Sequence, residues 1–119
     1  MGRPDFEDLE VYRLAEKLAC EVWGMVMTWD NFAKDTVGKQ LIRAADSICA
    51  NIAEGRGRWN LKDNQRFIRI ARGSLYETTS LLRLSYVRKL MNHKHLDYIK
   101  PILEELSPKL NAYLKSLDR

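Results

Sequence analysis

A chain of 119 residues is long enough for one continuous core and too short for two, so a single domain over residues 1–119 is expected. Hydrophobic residues at 45% and charged ones at 30%, with only 6 Gly and 3 Pro, argue against disorder and tilt the chain toward helix. The net charge of +4 is unevenly placed: residues 1–38 hold 4 basic and 8 acidic side chains, residues 39–94 hold 12 and 4, and residues 95–119 hold 4 of each, a pattern that gives one positive surface for nucleic acid or an acidic protein, or that only fixes helix neighbours.

Taken in chain order, four stripes recur at helical spacing. Val11, Ala15, Leu18, Val22, Met25, Val26 and Trp29 share one side of a helix over residues 8–29. A polar connection from Asp30 to Asp35 leads to Val37, Leu41, Ala44, Ala45, Ile48 and Ile52, a helix over residues 36–54 with Gly55 as its C-cap. The stretch from Gly55 to Trp59 is then the longest irregular link, and Asn60, three residues before Asp63, caps the next helix. That helix, residues 61–91, is the longest and carries Phe67, Ala71, Ser74, Leu75, Thr78, Leu81, Leu82 and Ser85 on one face. Leu96, Ile99, Leu103, Leu106, Leu110, Tyr113, Leu114 and Leu117 form a fourth stripe over residues 93–117. Pro101 and Pro108 interrupt its bonding but point away from the Leu face, where a bent helix accommodates them, so one curved helix is expected rather than two short ones. Short connections between long amphipathic helices favour antiparallel neighbours: an all-α, up-and-down four-helix bundle.

The residues that carry chemistry are few. His93 and His95 are two apart and diverge, and Cys20 and Cys49 form no CxxC pair, so no metal, cofactor or disulfide framework is expected. Glu54 and Glu77 read as structural partners of Arg43 or Arg72, not as an acid/base pair. Ser74 lacks the strand and the G-x-S-x-G context of a nucleophile, and Gly73 before it reads as a point of close helix approach. Gly55 to Arg58 lacks the Gly-Lys-Ser/Thr ending of a phosphate loop. An enzyme is therefore not expected. No run approaches the roughly 18 apolar residues of a membrane span and the chain opens acidic, which reads as cytoplasmic, with no membrane partner.

Binding residues are easier to nominate. Arg56 and Arg58 beside Trp59 can grip phosphates and stack on a base. Arg69, Arg72, Tyr76 and Arg83 form a basic row interleaved with an aromatic, opposite the core face of the third helix. The same row would suit the acidic first helix of a neighbour through Glu10, Glu16 or Glu21. Tyr12, Trp23, Ile68, Leu75 and Tyr86 lie off the core faces and nominate an interface between copies.

Three segments carry a family resemblance: Phe6-Glu7-Asp8-Leu9-Glu10-Val11-Tyr12, then QLIRAADSICANIAEGRGR from Gln40 to Arg58, then FIRIARGSLYE from Phe67 to Glu77. Together, over nearly the whole chain, they resemble the four-helix bundle proteins first noticed as products of intervening sequences inside bacterial large-subunit (23S) ribosomal RNA genes. Ala33 and Cys49 stand where prolines are common in that family, and Val37 where an aromatic is common. The resemblance implies an antiparallel four-helix bundle assembled as a homopentamer, and it brings no established activity. A relative in architecture, the accessory protein of diversity-generating retroelements, binds nucleic acid and a reverse transcriptase, which supports nucleic-acid binding by analogy only. Two functions follow as expectations: an oligomer binding RNA or DNA through a basic face on the second and third helices, or an oligomeric scaffold for a protein partner.

Overall fold

The computed structural model describes residues 5–118. After a 3-10 turn at Phe6–Asp8, four long helices follow: α1 (Glu10–Val26), α2 (Lys39–Arg56), α3 (Leu61–Val87) and α4 (His93–Ser116), with no strand among the described residues. Each forms because its apolar residues recur three and four apart and so share a face. Val11, Ala15, Leu18 and Val22 of α1 are buried against Leu41, Ala45, Ile48 and Ile52 of α2, Ile68, Ala71, Leu75 and Leu82 of α3, and Ile99, Leu106 and Leu110 of α4 in one cluster.

Three long-range hydrogen bonds fix the helix directions. The Trp29 indole Nε1–H donates to the Leu90 carbonyl at 2.9 Å, joining the end of α1 to the end of α3. At the opposite end of the bundle, Gln65 near the start of α3 donates to the Leu117 carbonyl just past α4, and Lys109 reaches Glu10 at the start of α1. The four helices therefore run up, down, up and down. Around the bundle α3 packs on α2, α2 on α1 and α1 on α4, while the closing α3–α4 seam is the least closely packed.

The element boundaries depart from the sequence reading in four places. The expected connection from Asp30 to Asp35 is mostly helical: the Asp30 carboxylate accepts from the Ala33 N–H at 2.9 Å and starts a turn at Asn31–Ala33. A π-helical turn, Lys34–Gly38, then leads into α2. A Cβ at Gly38 would sit 2.8 Å from Val26 Cγ1 and 3.0 Å from the Ala33 carbonyl, so the turn presses on α1 too closely for a side chain. Second, Gly55 is not a C-cap. It is buried inside α2, where a Cβ would lie 2.7 Å from Asn64 Oδ1 and 3.0 Å from Phe67 Cβ, and the helix closes instead at Gly57 in ordinary right-handed geometry. The glycine marks helix contact, not chain reversal.

Third, α3 stops at Val87 rather than near Met91. Lys89 takes a left-handed φ of 63°, with its N–H donating to the Tyr86 carbonyl and the Leu90 N–H donating to the Ser85 carbonyl. These two bonds form a Schellman cap built on lysine where glycine is usual. Fourth, a Cβ at Gly73 would meet nothing within 4 Å, so no helix of this chain approaches it closely. The fourth helix is continuous from His93 to Ser116 with Pro101 and Pro108 both on its exposed side, as their phase predicts. Asn60 and Asn92 cap α3 and α4 by accepting from the N–H groups of Asp63 and His95.

Substitutions at two positions test these backbone assignments through urea unfolding midpoints. Gly55→Ala is expected to lower stability, because overpacking of about 1–3 kcal/mol outweighs the roughly 1 kcal/mol of added helix propensity. Lys89→Gly is expected to raise it by about 1 kcal/mol, since glycine relieves the left-handed strain, whereas Lys89→Ala brings no gain.

Candidate nucleic-acid interface

The tight α2–α3 contact at Gly55 decides what the end of the bundle presents. With the helices in contact there, the link is short, and Arg58 folds back so that its guanidinium lies 4.6 Å from the centre of the Phe67 ring while pairing with Glu54 at 3.3 Å. Arg66 covers the same ring at 4.8 Å. Two guanidiniums thus share one phenyl ring, and Phe67, read from sequence as core, is half-buried beneath them. Arg56, the last residue of α2, is half-buried. Trp59 is 100% exposed, so its indole face is fully presented to solvent.

Along α3 the charge continues outward. Lys62, Arg66 and Arg69 occupy successive turns of one face, and none of the three makes an ion pair among the described residues. Lys62 and Arg66 were missed in the sequence reading, although their four- and three-residue spacing to Arg69 is the signal that finds them. An aromatic drew attention to Tyr76 instead, toward the other end of the helix.

The basic row expected on α3 divides in the fold. Arg69 faces solvent with Lys62 and Arg66. Arg72 is half-buried and turns to α4, where its Nη1 donates to Asn111 Oδ1 at 3.5 Å. Tyr76, 64% exposed, and Arg83 stand along the α3–α4 seam instead, each lining a cavity there, of about 220 Å³ and about 500 Å³ respectively. One angular stripe on a helical wheel becomes an outward patch and a groove wall, because the loosely packed seam opens between its halves.

The residues nominated for an interface also separate. Ile68 and Leu75 are 0% and 4% exposed and belong to the chain's own core, a correction to their reading as surface groups. They sit on the same face as Ala71 and Leu82 because the buried arc of α3, contacting both α2 and α4, is wider than one apolar stripe. Tyr12 is half-buried, its ring edge-on to Phe6 at 4.8 Å and its hydroxyl donating to Glu16 at 3.2 Å. Trp23 and Tyr86 remain exposed, at 55% and 44%.

Other candidate chemistry resolves into structure. The Ser74 and Ser47 hydroxyls pair at 2.9 Å, a polar contact between α2 and α3, and within α2 Asn51 donates to the Ser47 carbonyl at 2.7 Å. Glu54 pairs with Arg58 rather than with Arg43 or Arg72. His95 accepts from the Asn92 N–H at 3.3 Å and completes a capping box, while His93 is exposed. Burial pushes the Cys49 thiol above its ordinary range, opposite to what activates a nucleophile. No group of three or more His, Cys, Asp or Glu is placed to hold a metal ion among the described residues, and no helix there is long and apolar enough to cross a membrane.

An all-helical, up-and-down bundle with a basic patch at one end is the class of protein that these observations define. The chain belongs to the family described as 23S rRNA-intervening sequence protein, whose pattern it matches over residues 7–112. No curated protein matches it.

Burial, with the Glu16 carboxylate beside it, raises the Tyr12 phenol to about 12. The folded chain keeps this proton where the unfolded chain, with a phenol near the ordinary value of about 10, releases it. The stability this contributes is complete below about pH 10 and is lost as pH rises through about 12. Tyr12→Phe is expected to make the fall of the urea midpoint over that interval shallower, with little change at pH 7.

Proposed function

We propose that this chain is an oligomeric binding protein, not an enzyme, and that it holds RNA with little sequence preference through its basic face on α2 and α3. The observation that carries the reading is the outward run of Lys62, Arg66 and Arg69 without ion-pair partners, next to a fully exposed Trp59. Cations whose charge the fold does not use are available to phosphates, and phosphate contacts release counterions. Arg58 and Arg66 are held in place by the Phe67 ring beneath them, so less side-chain freedom is lost when a phosphate is gripped. The Trp59 indole offers a stacking surface to an unpaired base, which favours single-stranded or looped RNA over a regular duplex. Arg56 adds charge from the end of α2. The family's name sets it in a 23S rRNA context and names no ligand.

Self-association, in the homopentamer that the resemblance implies or in another closed form, multiplies this patch, so several weak contacts act together. Trp23 and Tyr86, large and exposed on separate helices, support such assembly.

Filter binding to a single-stranded RNA at several salt concentrations tests the reading. The double substitution Arg66→Glu with Arg69→Glu is expected to weaken binding more than tenfold and to reduce the logarithmic salt slope by about 1.4, at roughly 0.7 for each contact to a single strand. Trp59→Ala is expected to weaken it by about 1–3 kcal/mol without altering the slope. Unchanged affinity in both variants, with helicity intact by circular dichroism, would rule the patch out as the RNA-binding surface.

A further inference from the structure

The α3–α4 seam is the least closely packed edge of the bundle. Its two cavities share Thr79 and Leu103, so together they make a continuous groove. Leu75, Leu82, Ile99 and Leu103 line this groove with apolar surface, and Tyr86 and Arg83 stand at its wall. From Leu75 to Tyr86 it runs about 16 Å along α3, three turns of helix. Its charge is one-sided: Arg83 has no ion-pair partner among the described residues, Lys100 is present, and Glu104 is the one acid, itself paired with Lys100 at 3.9 Å.

On the opposite edge of the bundle, α1 carries surface that complements it. Glu16, Cys20, Trp23 and Met27 follow one another at four, three and four residues and are all exposed, with Trp23 at 55% and Met27 at 51%. From Glu16 to Met27 this stripe also runs about 16 Å. Gly24 lies beside it in mid-helix, where it costs roughly 1 kcal/mol in propensity. A Cβ there would meet nothing within 4 Å, so nothing in the chain itself requires the glycine, whereas a close-packed second helix does. Glu16 and Glu21 outweigh the one base on this side, Lys17, and supply the negative charge that Arg83 lacks.

We propose that the groove between α3 and α4 receives the outward stripe of α1 from a second copy of this chain, with Trp23 as the side chain that fills the larger cavity. Groove and stripe match in length, in apolar character and in the sign of their charge. The contact is heterologous, since each copy offers its groove to one neighbour and its α1 to another. This rests on the self-association read above and specifies where it occurs. It also assigns Tyr76 and Arg83 to assembly, leaving Lys62, Arg66 and Arg69 free for RNA.

Light scattering and disulfide trapping on the full chain test it, with Cys49→Ser in every cross-linking variant. Native Cys20 sits one turn from Trp23, so Thr79→Cys or Tyr86→Cys, depending on the direction in which α1 enters, is expected to give a ladder of cross-linked species on oxidation. That ladder must vanish when Cys20→Ser is added. Trp23→Ala is expected to weaken association roughly thirtyfold or more, as for a central aromatic anchor, with unchanged far-ultraviolet circular dichroism. An oligomeric wild type with no Cys20-dependent cross-link at either position, or an oligomer indifferent to Trp23→Ala, overturns the proposed contact and leaves self-association standing. A wild type that is monomeric overturns both.

Discussion

The contact between α2 and α3 at Gly55 is the constraint on which the functional end of this bundle depends. With hydrogen in place of a side chain, α2 lies against Asn64 and Phe67 at distances no Cβ tolerates. The helices therefore begin in contact, the link between them stays short, and Arg58 returns over the Phe67 ring. The cost appears in the same place: Asn64 is fully buried and neither polar atom of its carboxamide has a hydrogen-bond partner among the described residues. Close helix approach is gained there at the expense of polar satisfaction.

Charge is distributed in the fold according to the same division. Among the described residues, the ion pairs Arg13–Asp8, Lys100–Glu104, Lys109–Glu10 and Lys109–Glu105 all involve α1, α4 or the turn before α1, where acids and bases neutralise one another. These are exposed pairs worth little to stability. On α3, Lys62, Arg66 and Arg69 form no ion pair among the described residues, so their positive charge stays on one outward patch, while Arg83 stands apart along the α3–α4 seam.

The open α3–α4 seam follows from how the core is shared. Ala44, Ala45 and the Ser47–Ser74 pair let α2 lie close to its neighbours, whereas the larger Leu82, Leu96 and Leu103 hold α3 and α4 apart. At the top of the bundle the lysine-based Schellman cap and the Trp29–Leu90 hydrogen bond set where α3 ends, and with it the point at which the chain crosses to α4. A bundle closed equally on four sides would bury Tyr86 and leave no groove.

Sequence alone determined the number of helices, their buried stripes and the continuity of α4 through Pro101 and Pro108, because 3.6-residue periodicity and proline phase are local properties that every turn repeats. It also marked residues 39–94 as basic and Asn60 as a cap. It did not separate Gly55 as a packing glycine from Gly55 as a C-cap, since both uses look alike until the partner helix is in place. It placed Trp23 off the core, where the structure leaves it exposed, but it grouped Ile68 and Leu75 with it although both are buried, because how wide an arc of a helix is buried depends on how many neighbours it has. The division of Arg69 from Tyr76 and Arg83 was likewise decided only in three dimensions: residues that share a stripe on an isolated helix part company when a neighbouring helix stands off on one side.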